Sequence, residues 1–311
     1  MNVLIINATE SACGVYQFGV NLYNLLNSAK TTYDFHIAYC TTAQDVLNNI
    51  AALNPKALIF NYHPHTQPFV SDPFIQSLCR PCFGIYHEIT QDAANQMGSA
   101  HPFHHWICSD PTLFPNRHIS KIGRPVYTQY ANPYPPPYQT IIGTFGFGFK
   151  NKGFARLATV VQEQFDQAII KVHIAFSKYF DPTGGEAQAR IQEMRNIITK
   201  PGIQLVASHN LLSVVELLDF LAQNTVNIFL YDEMHRGISS TIDYALAVNR
   251  PIAINRTQMF RHIYNAKPSI LIEETDLPTI IKNSILPLIP FKQVWTPQNL
   301  VSEVNAIISK T

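Results

Sequence analysis

The sequence predicts an α/β protein built from two Rossmann-like domains, each a parallel sheet covered by helices. Three observations lead to this prediction. Short apolar runs alternate with helical patterns through the first 125 residues, a proline-rich segment interrupts the alternation at 132–138, and the alternation restarts at residue 140. Parallel strands need a crossover connection, usually a helix, so this alternation is typical of such a sheet.

The N-terminal part contains five apolar runs short enough to be buried strands. They lie at 2–8, 35–39, 57–60, 82–86 and 105–108. Helical patterns occupy 15–28 and 43–53. The first of these has a single apolar face, formed by Val15, Phe18, Leu22, Leu25 and Leu26. A helix with such a face packs on a sheet.

The segment from Asn132 to Tyr138 has four prolines in seven residues. Proline cannot continue a helix or the middle of a sheet, so a stiff extended connector is expected here. We therefore predict domains at 1–134 and 135–311.

The second alternation predicts strands at 140–145, 168–175, 203–207 and 226–231. Helices are expected from residue 153, near 184–198 and near 212–223. A final helix at about 297–309 has Leu300, Val304, Ile307 and Ile308 on one face and is expected to close the structure.

Composition limits the functional classes. The formal net charge of the 311 residues is +1 with 14% charged residues, which gives no general attraction for nucleic acid. Five scattered cysteines argue against a disulfide framework and fit a reducing compartment. Cys79 and Cys82 form one C-x-x-C, but the nearest histidines (His101, His104, His105) have no zinc-finger spacing.

The N-terminus has no basic region and is too short for a signal peptide. It is interpreted as a buried strand. No stretch approaches the roughly 18 to 20 apolar residues of a membrane span, so a cytoplasmic location is expected.

The stretch 141–154 predicts a strand, a loop and a helix in succession. Its glycines, including Gly148, let the backbone approach an anion, and the helix presents free N–H groups there. Lys150 and Lys152 add positive charge. The alternative is a chain reversal whose lysines form a solvated loop face.

This arrangement resembles the GT-B fold of nucleotide-sugar glycosyltransferases, in particular the retaining enzymes of glycosyltransferase family 4. The segment 230–254 resembles that family's acidic block: a Gly-containing loop, a helix with an acidic residue, and Pro251 before an apolar strand. The two-glutamate spacing differs. Asp243 stands at or next to the second glutamate's place, and the region 233–235 holds the first.

Three further segments resemble the family: Gly14–Gly19, a glycine-bearing turn into a helix; Ile85–Glu88, a strand-end histidine motif; and Ile107–Ser109. The family's arginine before the lysine loop is absent, so Lys150 is its expected substitute. The resemblance implies two domains facing a cleft, with the acceptor on the first and the nucleotide sugar on the second.

The resemblance also implies site residues. Three have a catalytic role: His87 at the donor sugar, Lys152 at the leaving diphosphate and Asp243 at the ribose hydroxyls. The donor-binding set is Gly14, Gly148, Lys150, Lys152, His235, Arg236, Gly237, Ile238, Ser239, Ser240 and Asp243.

Structural alternatives remain for several of these residues. Ser240-x-x-Asp243 also matches a capping box, in which the two side chains satisfy free helix N–H groups. Gly14 can simply start a helix after Ser11, His87 can be a core histidine, and Arg236 can pair with Asp232.

The expected function is transfer of a sugar from a nucleoside diphosphate sugar to a glycan, lipid or protein acceptor, with retention. No Asp-x-Asp motif is present, so no metal and no cofactor are expected. Peripheral membrane contact is expected if the acceptor is lipid-linked. The alternative is a non-catalytic GT-B-like protein that binds a nucleotide or glycan, or serves as a partner subunit. A 2-epimerase on the same fold is a third possibility, but the sequence shows no additional acid/base cluster that would support it.

Overall fold

The computed structural model describes residues 1–10, 13–97, 102–176, 181–234 and 237–310. The chain forms two compact units. The first comprises Met1–Val126, Arg236–Ile238 and Val294–Thr311, and the second comprises Tyr127–His235 and Ser239–Gln293.

The first unit contains a parallel sheet of six strands in the order β2-β1-β3-β4-β5-β6. The strands are β1 (Asn2–Asn7), β2 (Asp34–Tyr39), β3 (Ala57–Phe60), β4 (Cys82–Ile85), β5 (His105–Cys108) and β6 (Ile119–Lys121). The connecting helices are α1 (Gly14–Ser28), α2 (Ala43–Leu53), α3 (Asp72–Ser77) and α4 (Gln91–Gln96). The strand order reverses between β1 and β3, and ligands of open α/β sheets bind at such reversals.

The second unit contains a parallel sheet of five strands in the order β11-β10-β7-β8-β9. The strands are β7 (Ile141–Phe147), β8 (Ala168–Ala175), β9 (Ile203–Ser208), β10 (Val226–Phe229) and β11 (Ile252–Ile254). The helices are α5 (Phe154–Gln164), α6 (Gly185–Ile197), α7 (Val214–Ala222), α8 (Thr241–Ala247), α9 (Leu277–Asn283) and α10 (Ile289–Val294). The order reverses between β7 and β10.

The final helix, α11 (Pro297–Ile308), belongs to the first unit. The sequence-based division assigned it to the second domain. Its apolar face, including Leu300 and Val304, joins the cluster that Leu22, Leu25 and Leu26 of α1 form over the sheet. Burial of this face on the first sheet explains why the helix leaves the domain that precedes it in sequence.

The division between the units falls after Val126, whereas the sequence places it at 134. The segment that follows Val126 is tied to the second unit. The Tyr127 ring stacks on Tyr244 with centroids 5.0 Å apart, and the Tyr130 hydroxyl donates to Asp219 at 2.7 Å. Arg250 also donates to the carbonyl groups of Tyr134 and Pro135, both at 2.8 Å. The chain is therefore docked on the second unit from Tyr127 to Pro135, which the proline content of the connector does not reveal.

Most of the predicted elements are present within two residues of their expected bounds, and all five cysteines are free thiols. Five short elements of three to seven residues were not predicted from the sequence: β6, α3, α4, α9 and α10. Among the described residues, no helix has the length and apolar character needed to cross a bilayer.

Candidate functional site

The loop after β7 has the predicted strand–loop–helix form. β7 ends at Phe147, the chain makes a single 3-10 turn over Lys150–Lys152, and α5 begins at Phe154. The turn is closed by the Lys152 amide, which donates to the carbonyl group of Phe149 at 3.1 Å. Both lysines of the motif therefore lie on one short turn at the carboxyl edge of the second sheet.

Gly153 is required at the junction between this turn and α5. Its φ is +66°, in the left-handed region that favours glycine. A Cβ atom at this position would lie 1.7 Å from the carbonyl oxygen of Leu230, directly after β10. The absent side chain thus lets the β7 loop and the end of β10 pack backbone to backbone.

Lys152 lies where the strand order reverses. Its ammonium group is 3.9 Å from the centroid of the Tyr231 ring, which follows β10, so the pair joins the ends of β7 and β10. A cation above an aromatic face is attracted by the ring quadrupole. The lysine is partly buried and Lys150 is exposed. The structure therefore favours Lys152 as the positioned cation of the motif.

Gly148 has a packing role that the motif did not reveal. A Cβ atom there would lie 2.7 Å from the backbone nitrogen of Ala187, in the first turn of α6. The buried Asp181 carboxylate accepts from the amides of Glu186 and Ala187, at 3.1 and 2.8 Å, and so caps this helix end. The predicted contact of Gly148 with the donor remains a prediction.

Asp232 and Glu233, in the loop after β10, make contacts within the second unit. Asp232 pairs with Arg156 of α5 at 3.0 Å, and its amide donates to the carbonyl group of Asn151 at 2.8 Å. Glu233 accepts from the amide of Gln258 at 2.7 Å and from the hydroxyl of Thr257 at 3.2 Å. Glu233, which lies in the region that corresponds to the family's first glutamate, therefore stabilises the turn after β11.

The Ser240–Asp243 capping box does not form. Ser240 has helical φ and ψ, and its side chain makes no capping hydrogen bond. Ser239, which is buried, is within 2.9 Å of the Thr241 hydroxyl instead. Ser239 is thus part of the folded loop, whereas Ser240 and Ile238 remain partly exposed.

Asp243 is on the first turn of α8, as predicted, and is almost fully buried. It lies near Tyr127 and Tyr244. Burial is the main reason that the pKa of Tyr244 rises to about 12, and the charge of Asp243 raises it further. The pKa of Tyr127 is raised by burial, by Tyr244 and by the same carboxylate. The predicted contact of Asp243 with a ribose remains a prediction.

His87 occupies the reversal point of the first sheet together with two buried asparagines. Asn7 ends β1 and Asn61 follows β3, and both side chains are fully buried. The Asn61 amide donates to Asn7 Oδ1 at 2.6 Å and to the carbonyl group of Val15 at 2.5 Å. Its Oδ1 lies 2.7 Å from His87 Nε2. Because two acceptors set the orientation of the Asn61 amide, its Oδ1 accepts a hydrogen bond from the Nε2–H group of the histidine.

Burial lowers the pKa of His87 to about 3, and the nearby charges of His63 and Arg124 lower it further. The Phe18 ring contacts the imidazole edge to face, with centroids 4.9 Å apart. His87 is therefore neutral at physiological pH, with its proton on Nε2 and a lone pair on Nδ1. The imidazole is therefore better suited to accept a hydrogen bond at Nδ1 than to act as a general acid.

Two glycines of the predicted donor-binding set, Gly14 and Gly237, differ in their surroundings. Gly14 is the first residue of α1, and a Cβ atom there would have no atom of the described residues within 4 Å. Gly237 clusters with the first unit, where a Cβ atom would lie 2.1 Å from the carbonyl oxygen of His87. A side chain at position 237 would therefore overlap the backbone, whereas position 14 has room for one. The predicted residues His235 and Arg236 lie outside the described residues, as do Ser11 and His101.

Sequence reasoning missed Asn7, Asn61 and Tyr231. Each stands at or just beyond the end of an apolar strand, and this position was the available signal. In the chain segments described above, no group of three or more His, Cys, Asp or Glu side chains is arranged to hold a metal ion.

Known proteins resemble this chain in structure. No protein-family model matches it, and no curated protein matches its sequence. A glycosyltransferase from Rickettsia africae ESF-5 has a TM-score of 0.68 at 11% identity, over 99% of this chain and 97% of that chain. Anabaena Alr3699/HepE in complex with UDP has a TM-score of 0.62 at 11% identity, over 100% of both chains. The trehalose-6-phosphate synthase OtsA has a TM-score of 0.65 at 8% identity, over 100% and 98%.

The chain has the GT-B fold, and the predicted fold class is confirmed. Each unit contains one parallel sheet with helices on both faces, and the structural similarities extend over the whole chain. Such low identities establish the fold alone, because one fold hosts many functions.

Gly153→Ala is predicted to destabilise the second unit. The left-handed conformation alone costs a residue with a Cβ about 1–2 kcal/mol, and the overlap with the Leu230 carbonyl group adds to this. Urea denaturation followed by circular dichroism measures the loss. Gly185→Ala is the matched control, because the nearest atom to its Cβ would be Thr183 Oγ1 at 3.6 Å. Equal stability of the two variants would contradict this account of the loop.

His87 is predicted to remain neutral, with Nε2 protonated, from pH 8 to about pH 4 in ring-nitrogen NMR spectra. Its folded pKa of about 3 lies below the ordinary pKa of histidine, about 6.5. The unfolded chain therefore binds a proton below about pH 6.5 that the folded chain does not, and folding stability falls as the pH drops towards 3. His87→Gln should flatten this part of the stability profile. A His87 ring that titrates near pH 6.5 would refute the proposed environment.

Proposed function

We propose that this protein is a glycosyltransferase that moves a sugar from a nucleoside diphosphate sugar to a glycan, lipid or protein acceptor. The observation that carries the proposal is the position of Lys152, held over Tyr231 where the strand order of the second sheet reverses. The GT-B fold, shared over its whole length with a glycosyltransferase, supports the same conclusion.

In this proposal the second unit binds the donor. Opening of the glycosidic bond leaves negative charge on the departing diphosphate, and a fixed cation stabilises that charge better than mobile water does. Lys152 provides the fixed cation and the exposed Lys150 a second one. Amide groups at the start of α5 add favourable dipoles. The first unit binds the acceptor side, and neutral His87 accepts a hydrogen bond from a sugar hydroxyl.

Retention of configuration and independence of metal are also proposals, and both derive from the resemblance to glycosyltransferase family 4. The absence of an Asp-x-Asp motif from the sequence supports metal independence. In the family's front-face mechanism the leaving phosphate assists attack by the acceptor, so no protein nucleophile is assigned. The remaining donor residues, including Asp243 at the ribose, belong to the same proposal.

A structural neighbour and the net charge of the chain guide the choice of ligands to test. Alr3699/HepE is described in complex with UDP, which makes UDP the first nucleotide to test here. A net charge of +1 offers no general attraction for nucleic acid. We propose a cytoplasmic enzyme that contacts a membrane peripherally if its acceptor is lipid-linked.

A non-catalytic nucleotide-binding protein of the same fold is the alternative. One observation favours it: the Glu233 carboxylate accepts hydrogen bonds from Thr257 and Gln258 instead of standing free near a donor. In that case the protein would bind a nucleotide without turnover.

Lys152→Ala is predicted to abolish release of UDP from a UDP-sugar and to weaken binding of UDP at least tenfold, because a positioned cation next to the diphosphate is lost. A ligand at about 100 times its Kd adds roughly 2.7 kcal/mol of stability, so UDP should raise the Tm of the parent protein by several degrees. Lys282→Ala is the control, because Lys282 is an exposed lysine of the same unit. It should leave UDP release and UDP binding unchanged.

The same experiment separates the alternatives. Binding of UDP that depends on Lys152, without release of UDP from any UDP-sugar tested with or without acceptors, would favour the non-catalytic protein. A panel of nucleoside diphosphates and their sugars that never shifts the Tm would contradict both.

A further inference from the structure

Besides the lysine turn of the second unit, the first unit also has a group of cationic side chains. It lies at the edge of the first sheet where the strands begin, whereas His87 lies at the edge where they end. A cavity of about 330 Å³ opens where β5 and β6 begin and α11 ends. Four of its lining residues are basic or imidazole side chains: His104, His105, Arg117 and Lys310. The remaining ones are Asn116, Ser120 and Ile307, so none of the described residues that line the cavity is acidic. We call it the Arg117 pocket.

Some polar groups of the pocket are engaged and others are available. Asn116 donates to the carbonyl group of Ala94 at 2.7 Å, and Ser120 Oγ lies 2.9 Å from His105 Nε2. Arg117 uses Nε to donate to His118 at 2.9 Å, which leaves both terminal nitrogens of the guanidinium group. His104 Nδ1 accepts from the amide of Cys82 at 3.1 Å, so its proton is on Nε2. Within the residues that the structure describes, neither Arg117 nor Lys310 is paired with an acidic side chain.

The surrounding charge has the same sign. Parallel strands start at one edge of a sheet, and four neighbouring strands here are preceded by Lys56, Arg80, His104 and His118. The one acidic residue that begins a strand of this sheet, Asp34, lies on the far strand β2 and pairs with the N-terminal amine. Glu303 of α11 is directed to the amide of Gly123, after the end of β6. The edge is therefore positive around the pocket.

We propose that the Arg117 pocket binds the phosphate group of a small phosphorylated ligand. A guanidinium fork and an ammonium group are the side chains that suit phosphate oxygens, and His104 Nε2–H and the second N–H of the Asn116 amide add neutral donors. The cavity is at the small end of the range for ligand sites, which excludes a large cofactor. Ile307 gives the pocket one apolar wall. The phosphate belongs either to a soluble molecule or to a lipid headgroup at a membrane surface.

The site is independent of the proposed donor site. Its residues start the strands of the first sheet, whereas Lys152 follows a strand of the second sheet. Loss of the Arg117 pocket should therefore leave UDP binding unchanged.

Titration of the full-length protein with inorganic phosphate, followed through the ring-nitrogen NMR signals of His104, tests the proposal. The parent protein should show a saturable shift. Arg117→Gln/Lys310→Gln should weaken phosphate binding about tenfold or more, because two charge-assisted hydrogen bonds are lost. Arg195→Gln/Lys282→Gln removes the same charge from exposed positions of the second unit and should behave like the parent.

Flotation with phosphatidylcholine vesicles, with and without phosphatidic acid, identifies the source of the phosphate. Binding to the acidic vesicles alone, lost in Arg117→Gln/Lys310→Gln and kept in the control pair, assigns a lipid headgroup. A phosphate shift without vesicle binding assigns a soluble ligand. Absence of a saturable shift in the parent protein, or equal phosphate affinity in the pocket variant, would overturn the proposal.

Discussion

The contact between the backbone of Gly153 and the carbonyl group of Leu230 fixes the ligand edge of the second unit. It brings the loop after β7 against the end of β10, on the two strands between which the sheet order reverses. The charge of Lys152 is then held over the aromatic face of Tyr231. The Arg156–Asp232 pair and the Asn151 carbonyl group tie the same two loops together. A positioned cation at a reversal point is thus a consequence of one residue without a side chain.

The two units use their reversal points for different chemistry. In the second unit the ends of β7 and β10 are joined by a cation above a ring. In the first unit the ends of β1 and β3 are joined by the amides of Asn7 and Asn61, which orient a neutral imidazole. Gly19 of α1 lets the helix pass over these amides, since a Cβ atom there would lie 2.3 Å from Asn7 Oδ1. Charge at one edge and neutral hydrogen bonding at the other support a diphosphate on the second unit and uncharged hydroxyls at the first.

The sequence predicted the two sheets because apolar runs and amphipathic helices have distinct periods that need no tertiary information. The glycine–lysine loop was recognised for the same reason. The domain limit and the domain to which α11 belongs were misplaced, because both depend on which surface covers an apolar face after folding. Tyr127 and Arg250 dock the connector through contacts between residues far apart in sequence. Leu300 packs in one cluster with residues of α1, from which it is separated by most of the chain.

The candidate site was predicted less completely than the fold. Lys152 was identified from its neighbours in sequence, but the packing role of Gly148 against α6 and the failure of the Ser240 cap depend on neighbouring elements. Asn61 gave only a weak signal, as a polar residue after an apolar strand. Its significance emerges when β1, β3 and β4 place three polar side chains at one edge.

Hydrogen–deuterium exchange with and without UDP tests the central claim most directly, since it locates the nucleotide on the chain. The account predicts slower exchange of the amides in residues 148–156 when UDP is bound, and unchanged exchange at the start of β5 and β6. Binding of UDP that protects other segments and leaves 148–156 unchanged would contradict the assignment of the donor site to the second unit.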